Sequence, residues 1–401
     1  MRAKPIFAAA LKDQAERKIR IARPDKLGGL LAAIGLIAIV FMPFLSVKPN
    51  RIAAGKALWL FDLVGEPVIV CLAAFLLAAA IVGLFSRHPL LRLIISAGAL
   101  ITLIVGLGLV SASHAPQSSA GRVSPGSGFW LLLAVLCLLA SDALVKLQLK
   151  PWQRLASVIV CIVFILSCFA SGLLDNLSIM KEFATRAPQF WKEGLTHIIL
   201  SFGALIVSIV IGFPLGLAAY RRAAVRAALL RILGLIQTIP SLALFGLLML
   251  PLGYIAAHVP GAAAMGIRGI GAAPALIALV LYSLLPIVAN TIVGLNSVDL
   301  AVRDAALGMG MSTRQVMVRV EIPLALPVIL TGIRIVLVQT IGLVTVAALI
   351  GGGGFGTFIF QGLGQTAMDL VLLGAIPTIA LAFTSAIFLD GIIDMMKERP
   401  S

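Results

Sequence analysis

Residues 297–323 read SVDLAVRDAALGMGMSTRQVMVRVEIP, a polar stretch set between two apolar runs that are each long enough to span a bilayer. It carries Arg303, Arg314 and Arg319 together with Asp299, Asp304 and Glu321. Local rules predict two short helices. The first covers Asp299 to Leu307 and is broken by Gly308 and Gly310. The second starts at Ser312, where Ser312 and Gln315 have the S-x-x-Q spacing of a capping box, and stops at Pro323. A helix–glycine–helix hairpin between two membrane spans has the shape of a docking element for a soluble partner.

The composition around it defines the class. Of 401 residues, 61% are hydrophobic and 12% charged, about half the charged fraction of an average soluble chain. With apolar runs of about 20 residues recurring along the chain, the fold class is all-α, a polytopic membrane protein of about ten spans. The runs lie at about 27–47, 67–85, 93–111, 128–146, 155–174, 195–219, 232–254, 274–295, 325–350 and 370–391. No A-x-A-like cleavage site follows the first, which reads as an uncleaved span. Residues 1–26 form a basic tail, either solvated or a short amphipathic surface helix. Residues 175–194 are a longer polar connection of mixed charge and mark the domain boundary.

The formal charge of +15 is spread over short loops with no basic domain, which argues against nucleic acid and for the positive-inside rule. With the N-terminus inside, the internal segments hold 22 Lys/Arg and the external ones 8. Both termini, and the 297–323 loop, are then cytoplasmic.

Enzymatic chemistry has little to stand on. The four cysteines, Cys71, Cys137, Cys161 and Cys168, lie in apolar runs, and the four histidines show no ligand spacing, so neither a metal site nor a catalytic residue is assigned. The chain contains no G-x-x-x-x-G-K-[ST] phosphate loop, and no cofactor is expected. No acid lies deep in the last five spans, which argues against a proton- or sodium-coupled carrier. The energy is expected from outside the chain.

Asp304-Ala305-Ala306, Gly310 and Ile322-Pro323 resemble the EAA signature, E-A-A-x3-G-x9-I-x-L-P, of ABC-importer permeases. Asp304 stands for the usual Glu, and the final proline of the pattern is either Pro323 or, with a longer spacer, Pro327. The resemblance implies that 297–323 is the coupling loop seated in a groove of a cytoplasmic ATPase subunit, through Asp304, Ala305, Ala306, Gly310, Ser312, Arg314, Gln315, Arg319, Glu321 and Pro323. QTIPSLALFG (237–246), VEIPLALPVILTGIR (320–334) and IGGGGFG (350–356) are similar to segments of the permeases that import glycine betaine, choline and related osmoprotectants. The resemblance covers about 195–395, a type I ABC-importer permease core, and leaves 27–174 as an additional group of five spans. It implies an inner-membrane, non-enzymatic permease subunit working by alternating access. Its implied partners are separate ATPase subunits, an external substrate-binding protein, a second permease copy or a related permease, and membrane lipid. A permease for another small solute, such as an amino acid or oxyanion, and a secondary carrier remain as alternatives.

Within the membrane, Gln237, Thr238 and Ser241 surround the helix-breaking Pro240, whose missing N–H frees a carbonyl that needs another partner or a wet cavity. With Asn290, Gln339 and Thr340 they are candidates for the translocation path, or else interhelical hydrogen bonds. Glycines 351–354 predict a tight non-helical turn or a flexible loop at the outer mouth, and Arg334 is expected to pair with an acid. With three tyrosines and four tryptophans the chain offers no obvious aromatic cage for a quaternary ammonium.

Overall fold

The computed structural model describes residues 25–50, 55–86, 88–116 and 120–397. The basic tail expected at 1–26 therefore lies almost wholly outside the described residues. Among them, nine helices are long and apolar enough to cross a membrane. The tenth expected run is the shorter helix α1 (Lys26–Phe41), 16 residues or about 24 Å long, capped by Asp25, whose carboxylate accepts the Leu27 N–H at 3.1 Å.

The chain divides into two compact units. The first holds α1, α2 (Pro67–Phe85), α3 (Pro89–Ser113), α4 (Ser127–Leu147) and the second part of α5 (Pro151–Ala170). Pro67, Pro89 and Pro151 each open a helix, where a missing N–H costs nothing. Leucines 31, 72, 103, 132 and 136 meet in one core. At one end Arg92, only 3% exposed, contacts Asp25 at 2.6 Å and Asp142 at 3.0 Å and donates to the Gly83 carbonyl at 2.8 Å. Its guanidinium holds the Asp25 carboxyl well below the usual carboxylate range.

At the other end the loops form a small antiparallel sheet, which nothing in the sequence announced. Strand β1 (Leu45–Lys48) lies between β2 (Lys56–Leu58) and β3 (Arg122–Pro125), with Leu45 opposite both Leu58 and Pro125. The segments after the first and third helices therefore share one side of the bundle.

The second unit contains the first part of α5 and everything from Glu182 onward. Its first long helix, α6 (Ser178–Arg221), corrects the picture of a polar connection followed by a span: residues 178–194 are themselves helical. The stretch is rich in helix formers, and its one breaker, Pro188, produces a kink at Arg186 (φ −128°, ψ 17°) without ending the helix. The run expected at 232–254 is broken into α7 (Ala223–Thr238) and α8 (Ser241–His258), because Pro240 holds Ile239 in an extended conformation. The Ile236 carbonyl, which the missing N–H of Pro240 leaves free, accepts the Ile239 N–H at 3.2 Å, and the Ile239 carbonyl at the break is not left to water either. The Tyr282 hydroxyl donates to the Ile239 carbonyl, and Gln237 Nε2 donates to the Tyr282 carbonyl at 2.8 Å.

Helix α9 (Ala272–Asn296) is the most buried span and packs along α12 (Ile322–Ala347), which in turn packs on α14 (Met368–Lys397). Arg334 of α12 pairs with Asp390 of α14, as expected. Both residues lie on candidate spans, so Arg334→Gln leaves the Asp390 carboxylate without its cation and is expected to lower stability. Thermal unfolding of the purified variant checks this; an unchanged unfolding temperature means that the pair contributes nothing to the bundle.

Candidate functional site

The polar hairpin joins α9 to α12. Its first helix, α10 (Leu300–Gly308), begins at Asp299, whose carboxylate accepts the Ala301 N–H at 2.9 Å. It ends in a Schellman motif. The Gly310 N–H bonds the Leu307 carbonyl at 2.9 Å, and the Met311 N–H bonds the Ala306 carbonyl at 3.2 Å. That closure needs a left-handed residue at position 310, and Gly310 has φ +84°. The capping box follows: Ser312 N–H bonds Gln315 Oε1 at 2.8 Å and Gln315 N–H bonds Ser312 Oγ at 3.3 Å.

The next helix departs from expectation. It does not stop at Pro323. Helix α11 (Thr313–Val316) passes through a π turn at Met317–Glu321 directly into α12. The wider turn shifts the bonding register, so that the Ile322 N–H reaches the Met317 carbonyl, and Pro323, which has no N–H to donate, follows directly after the turn. The loop is thus built as a rigid extension of a membrane span.

Its surface is plain. Asp304, Ala305, Gly310, Ser312, Arg314, Gln315, Arg319 and Pro323 are exposed. So are the apolar Leu300 and Met309, at 70% and 72%, on an element whose partner would have to come from outside this unit. Two residues of the expected surface turn inward. Ala306 is 2% exposed, which leaves Ala305 as the small residue facing out. Glu321 is likewise 2% exposed, and its Oε1 lies 3.4 Å from both Arg303 Nε and the Tyr220 hydroxyl. An open cleft of about 900 Å3 behind the loop is lined by Arg221, Arg303, Arg314, Tyr220 and apolar side chains of α6 and α12.

Four of the six intramembrane polar residues are engaged with backbone carbonyls. Gln237 is committed to Tyr282, and Thr238 to the Leu235 carbonyl at 2.7 Å. Asn290 Nδ2 bonds the Pro286 carbonyl at 2.8 Å and its side chain lies against Gly332. Thr340 is buried, with its hydroxyl on carbonyls one turn back at 2.9 Å. Ser241 and Gln339 are partly exposed.

At the opposite end of the unit the glycine run forms the tight turn, with Gly351, Gly353 and Gly354 at positive φ. Two residues one turn apart on α6, absent from the sequence reading, hold it. Glu193 accepts the Gly354 N–H at 2.7 Å, and His197 Nδ1 accepts the Phe355 N–H at 3.2 Å. Nδ1 can accept only if the ring proton is on Nε2, which faces the Ile341 carbonyl at 3.1 Å. Their i, i+4 spacing was the available signal. Phe183, Phe190, Trp191, Phe355 and Phe358 pack against one another beside them, a filled cluster and not an open cage.

Residues 208–400 match the family described as binding-protein-dependent transport system inner membrane component. Residues 25–180 match the N-terminal domain of the ABC transporter permease YehY. The chain is 39% identical over 209 residues to the osmoprotectant import permease protein OsmW of Salmonella typhimurium, covering 52% of this chain and 91% of the relative. To the carnitine transport permease protein OpuCB of Listeria monocytogenes it is 38% identical over 194 residues, 48% of this chain and 80% of the relative. To the choline transport system permease protein OpuBB of Bacillus subtilis it is 36% identical over 204 residues, 51% and 87% respectively.

Proposed function

The chain belongs to the family of binding-protein-dependent inner-membrane transport components that includes these osmoprotectant permeases, and from that premise we propose that it carries glycine betaine, choline or a related quaternary ammonium compound into the cell. It is a permease subunit of an ABC importer, embedded in the inner membrane. The observation that supports the mechanism best is the hairpin between α9 and α12. It is exposed, it carries Asp304-Ala305 and the left-handed Gly310 on its face, and it continues without a joint into a membrane span. Movement of a docked ATPase subunit therefore reaches the membrane as movement of α12.

In this reading the transport core is 195–395, the loop 297–323 and both termini face the cytoplasm, and ATP is hydrolysed on separate subunits. A second permease, identical or related, completes the pathway, and an external binding protein delivers the solute. Recognition of the ammonium by cation–π contact is assigned to that binding protein, since three tyrosines and four tryptophans offer no obvious cage here. Gln237, Thr238, Ser241, Asn290, Gln339 and Thr340 are assigned to the path, where their present hydrogen bonds must exchange as the spans rock.

Proteoliposomes holding the permease, its ATPase and its binding protein test the substrate. ATP-dependent uptake of radiolabelled glycine betaine is expected, reduced by unlabelled choline and untouched by methionine. Absence of uptake, or competition by methionine, overturns the assignment.

A further inference from the structure

The first helix of the hairpin has few anchors. Of α10, Ala306 alone is buried, and among the described residues its ion pair joins Arg303 to Glu321. Glu321 sits in the π turn at the entrance to α12, and its Oε1 also meets the hydroxyl of Tyr220, in the last turn of α6. Tyr220 is itself fixed from the other side: Arg226 of α7 donates to the Ala219 carbonyl at 3.3 Å and to the Tyr220 carbonyl at 3.2 Å. One buried carboxylate oxygen thus stands where α10, α12 and the end of α6 meet, with α7 one hydrogen bond further on.

Two features of this junction bear on movement. Both contacts are 3.4 Å, against about 2.7–2.9 Å for a fully formed charge-assisted bond, so either can shorten as the other lengthens. Both also end on the same oxygen, so a displacement of Arg303 is felt at Tyr220. A buried carboxylate that lost Arg303 altogether would be left with a single neutral donor, which is costly enough to make it follow its partner.

We propose that Glu321 is a positioning residue that passes movement of the cytoplasmic hairpin to α6 through Tyr220, so that two spans on different sides of the hairpin respond to one docking event. The inference rests on the hairpin being the ATPase-docking element and adds the route by which a span not contiguous with it is moved.

The test uses the permease–ATPase complex with the four native cysteines replaced by alanine and a spin label on Arg222→Cys, an exposed position just past the end of α6. Addition of ATP and Mg2+ is expected to change the label's spectrum in the otherwise unmodified complex. In Glu321→Gln the ATPase still co-purifies and the change is absent; in Tyr220→Phe, which deletes one hydroxyl, it is reduced. The double variant is expected to be no worse than Glu321→Gln, because both substitutions cut the same link. An unaltered ATP response in Glu321→Gln, or in Tyr220→Phe should the first variant fail to fold, overturns the proposal. So does a label that ATP does not move in the parent complex. An ATPase that never binds the parent complex instead overturns the docking role of the hairpin, and this route with it.

Discussion

Replacing Gly310 by valine is expected to abolish ATPase docking and uptake while leaving the membrane bundle intact. A Cβ at position 310 would meet nothing within 4 Å, so no clash with the chain is involved. The penalty is conformational: Gly310 has φ +84°, where a β-branched residue is a strong outlier and costs about 2 kcal/mol. That is roughly a 30-fold change in the population of the closed Schellman turn, and the turn sets the angle between α10 and the capping box at Ser312. Asparagine, which tolerates the left-handed region, separates geometry from surface: Gly310→Asn is expected to keep most of the docking that Gly310→Val loses. Co-purification of the ATPase with each variant, alongside thermal unfolding of the permease, reads both effects. A valine variant that docks and transports normally would show that the turn is not the pivot of the hairpin.

Placing any side chain at Gly332 is expected to damage the seam between α9 and α12 severely. A Cβ there would lie 2.5 Å from Asn290 Cβ and 2.8 Å from its Cγ, across the seam between α9 and α12. The same seam is tight at its next contact, where a Cβ on Gly294 would approach the Ala325 carbonyl to 3.0 Å. Small residues at such crossings let helices approach in a solvent that offers no hydrophobic drive for their association. Overpacking of this kind costs about 1–3 kcal/mol even for one added carbon, and more for a branched chain. Gly332→Ala is therefore expected to lower the unfolding temperature distinctly, and Gly332→Leu to prevent accumulation in the membrane. Asn290→Gly removes the opposing Cβ and is expected to restore folding of Gly332→Ala. Failure of that rescue would place the clash elsewhere.

Much of this architecture was legible in the residues, and particular ones show why. Pro67, Asp25, Asp299 and the Ser312–Gln315 pair act within one turn of the backbone, so the helix starts that they specify need no tertiary information. Pro240 announced a break, but the Ile239 carbonyl at that break finds its partner, Tyr282, some forty residues away, where no local rule could point. Pro323 was misleading for the opposite reason. A proline normally ends a helix, and only the π turn before it, a property of the backbone with no sequence signature, lets the helix that starts at Thr313 run on into α12. Among the proposed docking residues, spacing could not say that Glu321 faces inward, because the π turn rotates every residue after Met317 relative to an ideal helix. The helix at 178–194 was hidden by its charges, which mark polarity but not conformation.

The three-stranded sheet of the first unit has a consequence for biogenesis. Strand β1 emerges from the ribosome with one neighbour, β2, close behind it, but its other edge is completed by Arg122–Pro125, after two more helices have been made. Until then the nascent chain carries an open strand edge, the kind of edge that recruits foreign strands. Closure of the sheet thus waits until α2 and α3 have been made, and once formed it ties the segment after the first helix to the segment before the fourth.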